Sequence, residues 1–239
     1  MSNDVRIEMM GEHFILWRCL HGGPLTRQSI EQWPQDQALP WADLRARNVP
    51  LLRKLTRTYG ACAVVARDGD RIVGMLRFYP KAVAAMPGAS REFCLQQKHP
   101  AGPLDNFAEA DFPPLDQLAD KTLFVHCLMT GSPSQKENPY QRKGIGTRMA
   151  RALIEWAREK GWQAAEATAY EDLDAVYAVT GVAGKTFWEK LGFEAAEVGT
   201  EPAFGQYPEL LKTMTEQGQA RGLSADAVTT RYTMRLELA

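Results

Sequence analysis

Strand-like patterns fill much of the middle of this chain. Two apolar runs, Ala61 to Ala66 and Arg71 to Tyr79, flank the segment Arg67-Asp68-Gly69-Asp70. A glycine-containing turn between β-branched and aromatic segments predicts a β-hairpin. The run from Thr122 to Thr130 is almost continuously apolar, which predicts a central strand covered on both faces. Further strands are predicted at 5–10, 162–170, 193–198 and 231–238.

Helical spacing of apolar residues appears between and after these strands. In residues 147–160, Met149, Leu153 and Ala157 recur on one side, and Gly161 ends the pattern. Residues 33–52 contain three prolines, which predict short helices or loops. Further helical segments are predicted at 51–59, 172–180, 185–191, 208–217 and 224–229, and the acidic, proline-rich stretch 81–120 is predicted to be an irregular insertion.

Composition narrows the class of protein. The chain has 239 residues, of which 45% are hydrophobic and 24% charged, as in a soluble globular protein. A net charge of -1 and a pI of about 6.4 give no indication of a nucleic acid or a membrane surface as partner. No run approaches the roughly 20 apolar residues that span a bilayer, and the first residues lack the order of a signal peptide. We therefore expect a cytoplasmic protein.

Cysteine and histidine spacing does not predict a metal centre. The four cysteines (Cys19, Cys62, Cys94 and Cys127) form no Cys-x-x-Cys pair, so reduced and mostly buried thiols are expected. The four histidines show no close helical pairing of the metalloprotease kind. The prediction is that no catalytic metal is bound.

The segment Gln141-Arg142-Lys143-Gly144-Ile145-Gly146-Thr147 carries the clearest chemistry. It lies between the predicted central strand and the helix that follows. A helix start presents unpaired backbone N–H groups and partial positive charge, and glycines let an anion approach the main chain. The segment is therefore predicted to bind phosphate.

Two familiar phosphate loops fit poorly. A dinucleotide loop needs a third glycine at position 149, which is methionine. A nucleotide-hydrolase loop would use Gly184-Lys185-Thr186, but its first glycine would fall at position 179, which is valine. The second segment is better interpreted as the start of a helix.

A third pattern fits better. The spacing Gln141-x-x-Gly144-x-Gly146, together with the downstream Phe187-Trp188-Glu189-Lys190-Leu191-Gly192-Phe193, resembles the GCN5-related N-acetyltransferase (GNAT) family. The resemblance covers about 61–198. It implies an α+β fold with a GNAT-like mixed, twisted central sheet flanked by helices. We expect a single acyl-CoA N-acyltransferase domain over 1–239, with N- and C-terminal additions, the latter being the helices and strand of 208–238.

The resemblance also implies a donor site for acetyl-CoA as co-substrate. Backbone N–H groups from Arg142 through Gly144, Ile145 and Gly146 to Thr147 would hold the CoA pyrophosphate, with the side chains of Gln141, Arg142 and Lys143 nearby. The main chain of Leu128, Met129 and Thr130 would pair with the pantetheine arm as an added strand does.

The catalytic residues depart from the family pattern. Trp188 stands where the family often has a tyrosine acid, and Gly181 stands where it has an asparagine. Tyr170 is the first candidate for a replacement acid and Tyr177 the second. His126 is the candidate base, because imidazole titrates near neutrality.

The leading hypothesis is thus an N-acetyltransferase that moves acetyl to a primary amine of a small molecule or protein by direct attack. The alternative is a catalytically silent CoA-binding or sensing module of the same fold. Glu166 and Glu171 are weaker candidates for the base. The C-terminal strand is predicted either to close the sheet within the chain or to pair with a second copy, so a homodimer is possible.

Overall fold

The computed structural model describes residues 5–18, 20, 25–26, 41–84, 112–131, 138–180 and 182–238. Its centre is a sheet of eight strands. The strands are β1 (Arg6–Met9), β2 (Leu25–Thr26), β3 (Ala63–Asp68), β4 (Arg71–Pro80), β5 (Thr122–Thr130), β6 (Ala164–Ala169), β7 (Glu194–Thr200) and β8 (Thr230–Glu237).

The sheet is mixed. Its order is β1-β3-β4-β5-β6-β8-β7, with β2 paired to the start of β4. The predicted hairpin is confirmed as β3 and β4, with Gly69 in the left-handed conformation at the turn. Strands β5 and β6 are parallel, whereas every other pairing among the described strands is antiparallel. The last strand, β8, lies between β6 and β7, so it closes the sheet within the chain.

Helices cover the sheet. They are α1 (Trp41–Tyr59), α2 (Lys81–Ala84), α3 (Ile145–Lys160), α4 (Asp174–Thr180), α5 (Lys185–Glu189) and α6 (Pro208–Gln219), with 3-10 turns at Leu115–Gln117, Pro202–Gln206 and Ala227–Thr229. In α3, Met149, Leu153 and Ala157 are buried as their spacing predicts. A Cβ added at Gly74 of β4 would lie 3.0 Å from Met149 Cε, so this glycine lets α3 pack closely on the sheet. The predicted α+β class is confirmed.

Helix α1 differs from its prediction. The sequence predicts a helix over 51–59 and short pieces before it, but α1 begins at Trp41 and contains Pro50. Proline removes one backbone hydrogen bond and usually kinks or breaks a helix interior. Here the buried side chains of Leu51, Leu52 and Leu55 anchor the helix to the main core on the C-terminal side of the proline.

A second, smaller core lies outside the main one. The segment between β7 and β8 contains two 3-10 turns and α6, and it packs on α4. Six buried side chains make up this core: Tyr170, Leu173, Val176, Phe204, Met214 and Val228. The Ala175 N–H also donates to Gln217 Oε1 at 3.1 Å. Helix α4 is therefore held against the segment that joins the last two strands.

The remaining predictions have mixed outcomes. The helix at 208–217 is confirmed as α6, but 224–229 forms only the 3-10 turn Ala227–Thr229. The insertion 81–120 begins with α2 and resumes at Phe112, and 85–111 lie outside the described residues, as do Cys19, Cys94 and Gly181. No helix within the described ranges has the length and apolarity to cross a membrane. The single-domain division stays a prediction.

Candidate functional site

A cleft of about 310 Å³ opens at the end of β5. Four segments contribute its walls: the end of β5, the turn that leads into α3, the start of α4, and the start of α5. The lining residues include Leu128, Thr130, Tyr140, Gln141, Arg142, Gly144, Ile145, Gly146, Thr147, Glu171, Asp172, Asp174, Tyr177, Gly184 and Phe187.

The turn before α3 leaves the start of that helix open. Gly144 precedes the helix with φ +73°, and no side chain caps it. The first backbone bond of the helix runs from the Arg148 N–H to the Gly144 carbonyl at 3.0 Å. The N–H groups of Ile145, Gly146 and Thr147 come before that bond, so they have no partner within the helix. This is the arrangement that binds anions.

Glycine at 146 sets the distance between α3 and its neighbours. A Cβ at this position would lie 3.3 Å from Leu128 Cδ2 and 3.7 Å from Phe187 Cε2. The helix start can therefore approach β5 and α5 closely. The turn itself is tied to the hairpin, because the Tyr140 hydroxyl donates to Asp68 Oδ2 at 3.0 Å.

Exposed cations stand at the mouth of the cleft. Arg142 adopts φ 57°, and its guanidinium lies 3.9 Å from Asp174 Oδ1 with both side chains well exposed. Lys143 is exposed beside it. These cations add positive charge to the N-terminal end of α3. The exposed ion pair between Arg142 and Asp174 is itself weak.

Strand β5 separates from β6 at the cleft. Its pairing with β6 runs only from Thr122 to Val125, whereas its pairing with β4 continues to Thr130. His126 is the extra residue of a bulge in the β4 ladder, since Arg77 pairs with Cys127 and Phe78 with Val125. Bulges bend a strand and re-aim its groups. The two strands therefore separate beyond Val125.

Two side chains bind the main chain of Thr130 on the cleft side. The Thr130 N–H donates to the Tyr177 hydroxyl at 3.4 Å, and the Thr130 carbonyl accepts from Asn138 Nδ2 at 2.8 Å. The next N–H, that of Gly131, donates to the Val73 carbonyl of β4 at 2.7 Å. Thr130 thus presents its own polar groups away from β4. Sequence reasoning did not reveal these two contacts.

Most of the predicted donor-site residues are brought together. Gln141, Arg142 and Gly144 to Thr147 line the cleft with Leu128 and Thr130, whereas Met129 is fully buried and Lys143 is exposed beside the cleft. Their roles toward a ligand stay predictions.

The two predicted catalytic residues lie elsewhere. The half-buried His126 ring packs on Tyr79, with ring centres 5.9 Å apart. The Tyr170 hydroxyl donates to Glu201 Oε2 at 3.1 Å, and its ring packs on Phe204. Burial, and next the Glu201 carboxylate, raise the pKa of Tyr170. Neither His126 nor Tyr170 lines the cleft, whereas Tyr177 does.

The acidic candidates already have cationic or polar partners. Glu166 is buried between Lys81 Nζ at 2.8 Å and Arg235 Nη1 at 2.7 Å. Glu171 accepts from the Tyr232 hydroxyl at 2.6 Å, and burial raises the pKa of Tyr232 to about 12. No cluster of three or more potential metal ligands occurs in the part of the chain described.

The segment Gly184-Lys185-Thr186 starts helix α5, as predicted. Asp172 accepts hydrogen bonds from the backbone N–H and hydroxyl of Thr186, and Lys185 Nζ lies over the Tyr232 ring at 4.8 Å. A carboxylate therefore occupies the helix start that a nucleotide phosphate would need. Trp188 is 2% exposed and packs between Phe187 and Phe193.

The mixed sheet, the separating strands and the open start of α3 together form an α+β fold with a cleft suited to an anionic ligand. The model of the Acetyltransferase (GNAT) family matches residues 136–193, which include the turn, α3 and α5. The segment that forms the turn, α3 and α5 is therefore similar to the GNAT acetyltransferases.

Solved structures give a distant likeness. Ard1 from Thermoplasma volcanium is 11% identical with a TM-score of 0.46, and 98% of each chain is covered. A GNAT-family acetyltransferase from Streptococcus pneumoniae is 13% identical with a TM-score of 0.49, covering 99% of this chain and 100% of that one. The yncA acetyltransferase from Salmonella typhimurium, solved with acetyl-CoA, is 12% identical with a TM-score of 0.47, covering 99% and 95%. No curated protein matches the sequence.

Proposed function

We propose that this protein transfers the acetyl group of acetyl-CoA to a primary amine of a small molecule or a protein. The observation that carries the proposal is the uncapped start of α3 beside the separated end of β5. The CoA pyrophosphate binds the N–H groups of Ile145, Gly146 and Thr147. The pantetheine arm runs along Leu128 to Thr130, where β5 has left β6, and pairs with the main chain as an added strand.

The reaction is a direct attack. The amine nitrogen forms a bond to the thioester carbonyl carbon, the carbon–sulfur bond breaks, and the amine loses one proton. We keep His126 as the candidate acceptor of that proton, because the bulge puts this residue where β5 separates from β6, although its side chain does not line the cleft. A thiolate is a far better leaving group than an amine anion, since thiols such as that of cysteine have a pKa near 8.5. Protonation from water is then sufficient, and a tyrosine acid is optional.

The donor site is tested by calorimetry with acetyl-CoA and CoA. The double variant Arg142→Ala/Lys143→Ala removes two exposed cations at the mouth, each contributing about 0.5–1 kcal/mol to binding. We expect binding about five- to thirtyfold weaker, with a smaller difference at high salt. The matched control is Arg158→Ala/Lys160→Ala, which removes two cations from the other end of α3. Equal losses in both variants would contradict the site.

Turnover is tested by thiol release over a panel of amines. In the active enzyme, His126→Gln should lower kcat and remove the acidic limb of its pH profile, because a neutral amide does not take up the proton. An unchanged profile would remove His126 from the mechanism. A fall in kcat for Tyr170→Phe would support the acid role predicted for Tyr170 from the sequence. An unchanged kcat would indicate that water protonates the thiolate.

A silent CoA-binding module remains the second candidate. Trp188 favours it, because this side chain is packed among Phe187 and Phe193 where the family often has an acidic hydroxyl. Tight CoA binding without thiol release on every amine would support this alternative. Absence of CoA binding would refute both.

A further inference from the structure

The Tyr177 hydroxyl lies where a ligand would have to bind. It accepts the Thr130 N–H at 3.4 Å, and that N–H points into the gap left by β6. Under the proposed function, on which this inference rests, the same N–H pairs with the pantetheine arm of the donor. One N–H cannot make a full hydrogen bond to both acceptors. The phenol and the donor therefore compete for Thr130.

We infer that the Tyr177 hydroxyl accepts the Thr130 N–H until a ligand displaces it. This competition lowers the affinity of the cleft for ligands that carry a pantetheine arm. In the ligand-free cleft its hydroxyl satisfies the Thr130 N–H. The donor takes over that N–H with an amide carbonyl, and the Tyr177 side chain rotates away. Tyr177 is thus a residue that sets donor affinity and donor specificity.

Three observations fit this role. Thr130 is only 7% exposed, so its N–H benefits from an internal acceptor when no ligand is present. The bond is long for an N–H to oxygen contact, so it is weak and can be exchanged. Tyr177 lines the cleft together with Leu128 and Thr130, so its hydroxyl lies where a ligand would reach this N–H.

The backbone of Tyr177 is held while its side chain faces the cleft. Val176, its neighbour on α4, is buried in the second core, which also contains Met214 and Val228. The Ala175 N–H to Gln217 Oε1 bond fixes the first turn of the same helix. Displacement of the phenol is therefore a side-chain rotation, and the segment between β7 and β8 sets its resting position.

The inference separates two classes of ligand. CoA and acetyl-CoA have the pantetheine arm and must displace the phenol. The nucleotide half of CoA, 3′-phospho-ADP, binds the turn before α3 but has no arm to reach Thr130. Removing the hydroxyl should therefore strengthen binding of the first class alone.

The test compares both ligands by calorimetry on the unaltered protein and on Tyr177→Phe. We expect CoA to bind about two- to tenfold tighter to the variant, the range that follows from loss of one competing hydrogen bond. Binding of 3′-phospho-ADP should stay unchanged. Tyr207→Phe, at an exposed tyrosine outside the cleft, is the matched control.

A second measurement does not depend on the variant. Amide hydrogen exchange and the NMR shift of the Thr130 N–H should change when CoA is added to the unaltered protein and should stay constant with 3′-phospho-ADP.

The inference is overturned if CoA binds Tyr177→Phe equally or more weakly, or if both ligands tighten together. It is also overturned if the Thr130 amide does not respond to CoA. Failure of 3′-phospho-ADP to bind the unaltered protein has a different meaning, because it refutes the proposed donor site itself.

Discussion

The carboxylate of Glu166 ties three parts of the fold together, and its removal should be measurable. It lies on β6, 5% exposed, with Lys81 of α2 on one side and Arg235 of β8 directly opposite in the ladder. The change Glu166→Gln keeps the shape of the side chain and removes its charge. Both cations then lose a charge-assisted partner at 2.8 and 2.7 Å.

The expected loss follows from the exposure of the cations. Each hydrogen bond to a charged group contributes about 1.5–3 kcal/mol. Lys81 and Arg235 are 43% and 32% exposed, and Arg235 keeps its ion pair with Glu237 at 2.6 Å, so water and Glu237 recover a large part of that energy. We expect the free energy of unfolding to fall by about 2–3 kcal/mol, which corresponds to roughly 4–12 °C in Tm for a chain of this size.

Urea unfolding followed by tryptophan fluorescence measures this directly. The control is Glu155→Gln on the exposed side of α3, which should change the free energy of unfolding by less than about 0.5 kcal/mol. A loss below about 0.5 kcal/mol for Glu166→Gln would refute the reasoning, because the buried carboxylate would then contribute no more than a surface one.

Three further changes have expected outcomes. Gly184→Ala would put a Cβ 2.0 Å from Asp172 Oδ1 and displace this cap of α5, so urea unfolding should show a loss of about 1–3 kcal/mol. Gly144→Ala meets no atom within 4 Å but must adopt φ +73°, so its loss should be near 1 kcal/mol, and a loss above about 3 kcal/mol would contradict this account. Burial raises the pKa of Tyr59 to about 12. The stability that the buried, protonated phenol contributes is therefore fully present below pH 10 and is lost as the pH rises through about 12. Tyr59→Phe should therefore show a flatter alkaline decline in Tm, and an unchanged decline would contradict the shift.

Local patterns were sufficient for most of the elements. The hairpin of β3 and β4 and the buried stripe of α3 depend on neighbours a few residues apart, and periodicity reports such relations directly. The cleft residues 141–147 were found because a strand, two glycines and a helix follow each other in the chain. The sequence therefore predicted the fold class and the position of the turn.

Relations between distant residues were not accessible in the same way. Nothing near Thr130 in sequence indicates that Tyr177, 47 residues later, will lie against its N–H. The bulge at His126 depends on how β5 pairs with β4, and the alternating pattern of a single strand does not contain that information. The sequence favours Tyr170 over Tyr177 as the acid, but Tyr170 packs on Phe204 of the second core, and no local sequence pattern indicates this contact.

The position of β8 has a consequence for the order of folding. Strand β7 pairs only with β8 among the described strands, and one edge of β6 is also unpaired until β8 forms. During synthesis, the turn, α3 and α5 all leave the ribosome before Thr230–Glu237. The part of the sheet beyond β6 can therefore form only after β8 has been synthesised. Strand β8 then inserts between the free edges of β6 and β7. Until then both edges are open to pairing with other chains. We expect nascent chains arrested before residue 230 to be more prone to aggregation than those arrested after residue 238 has left the ribosome.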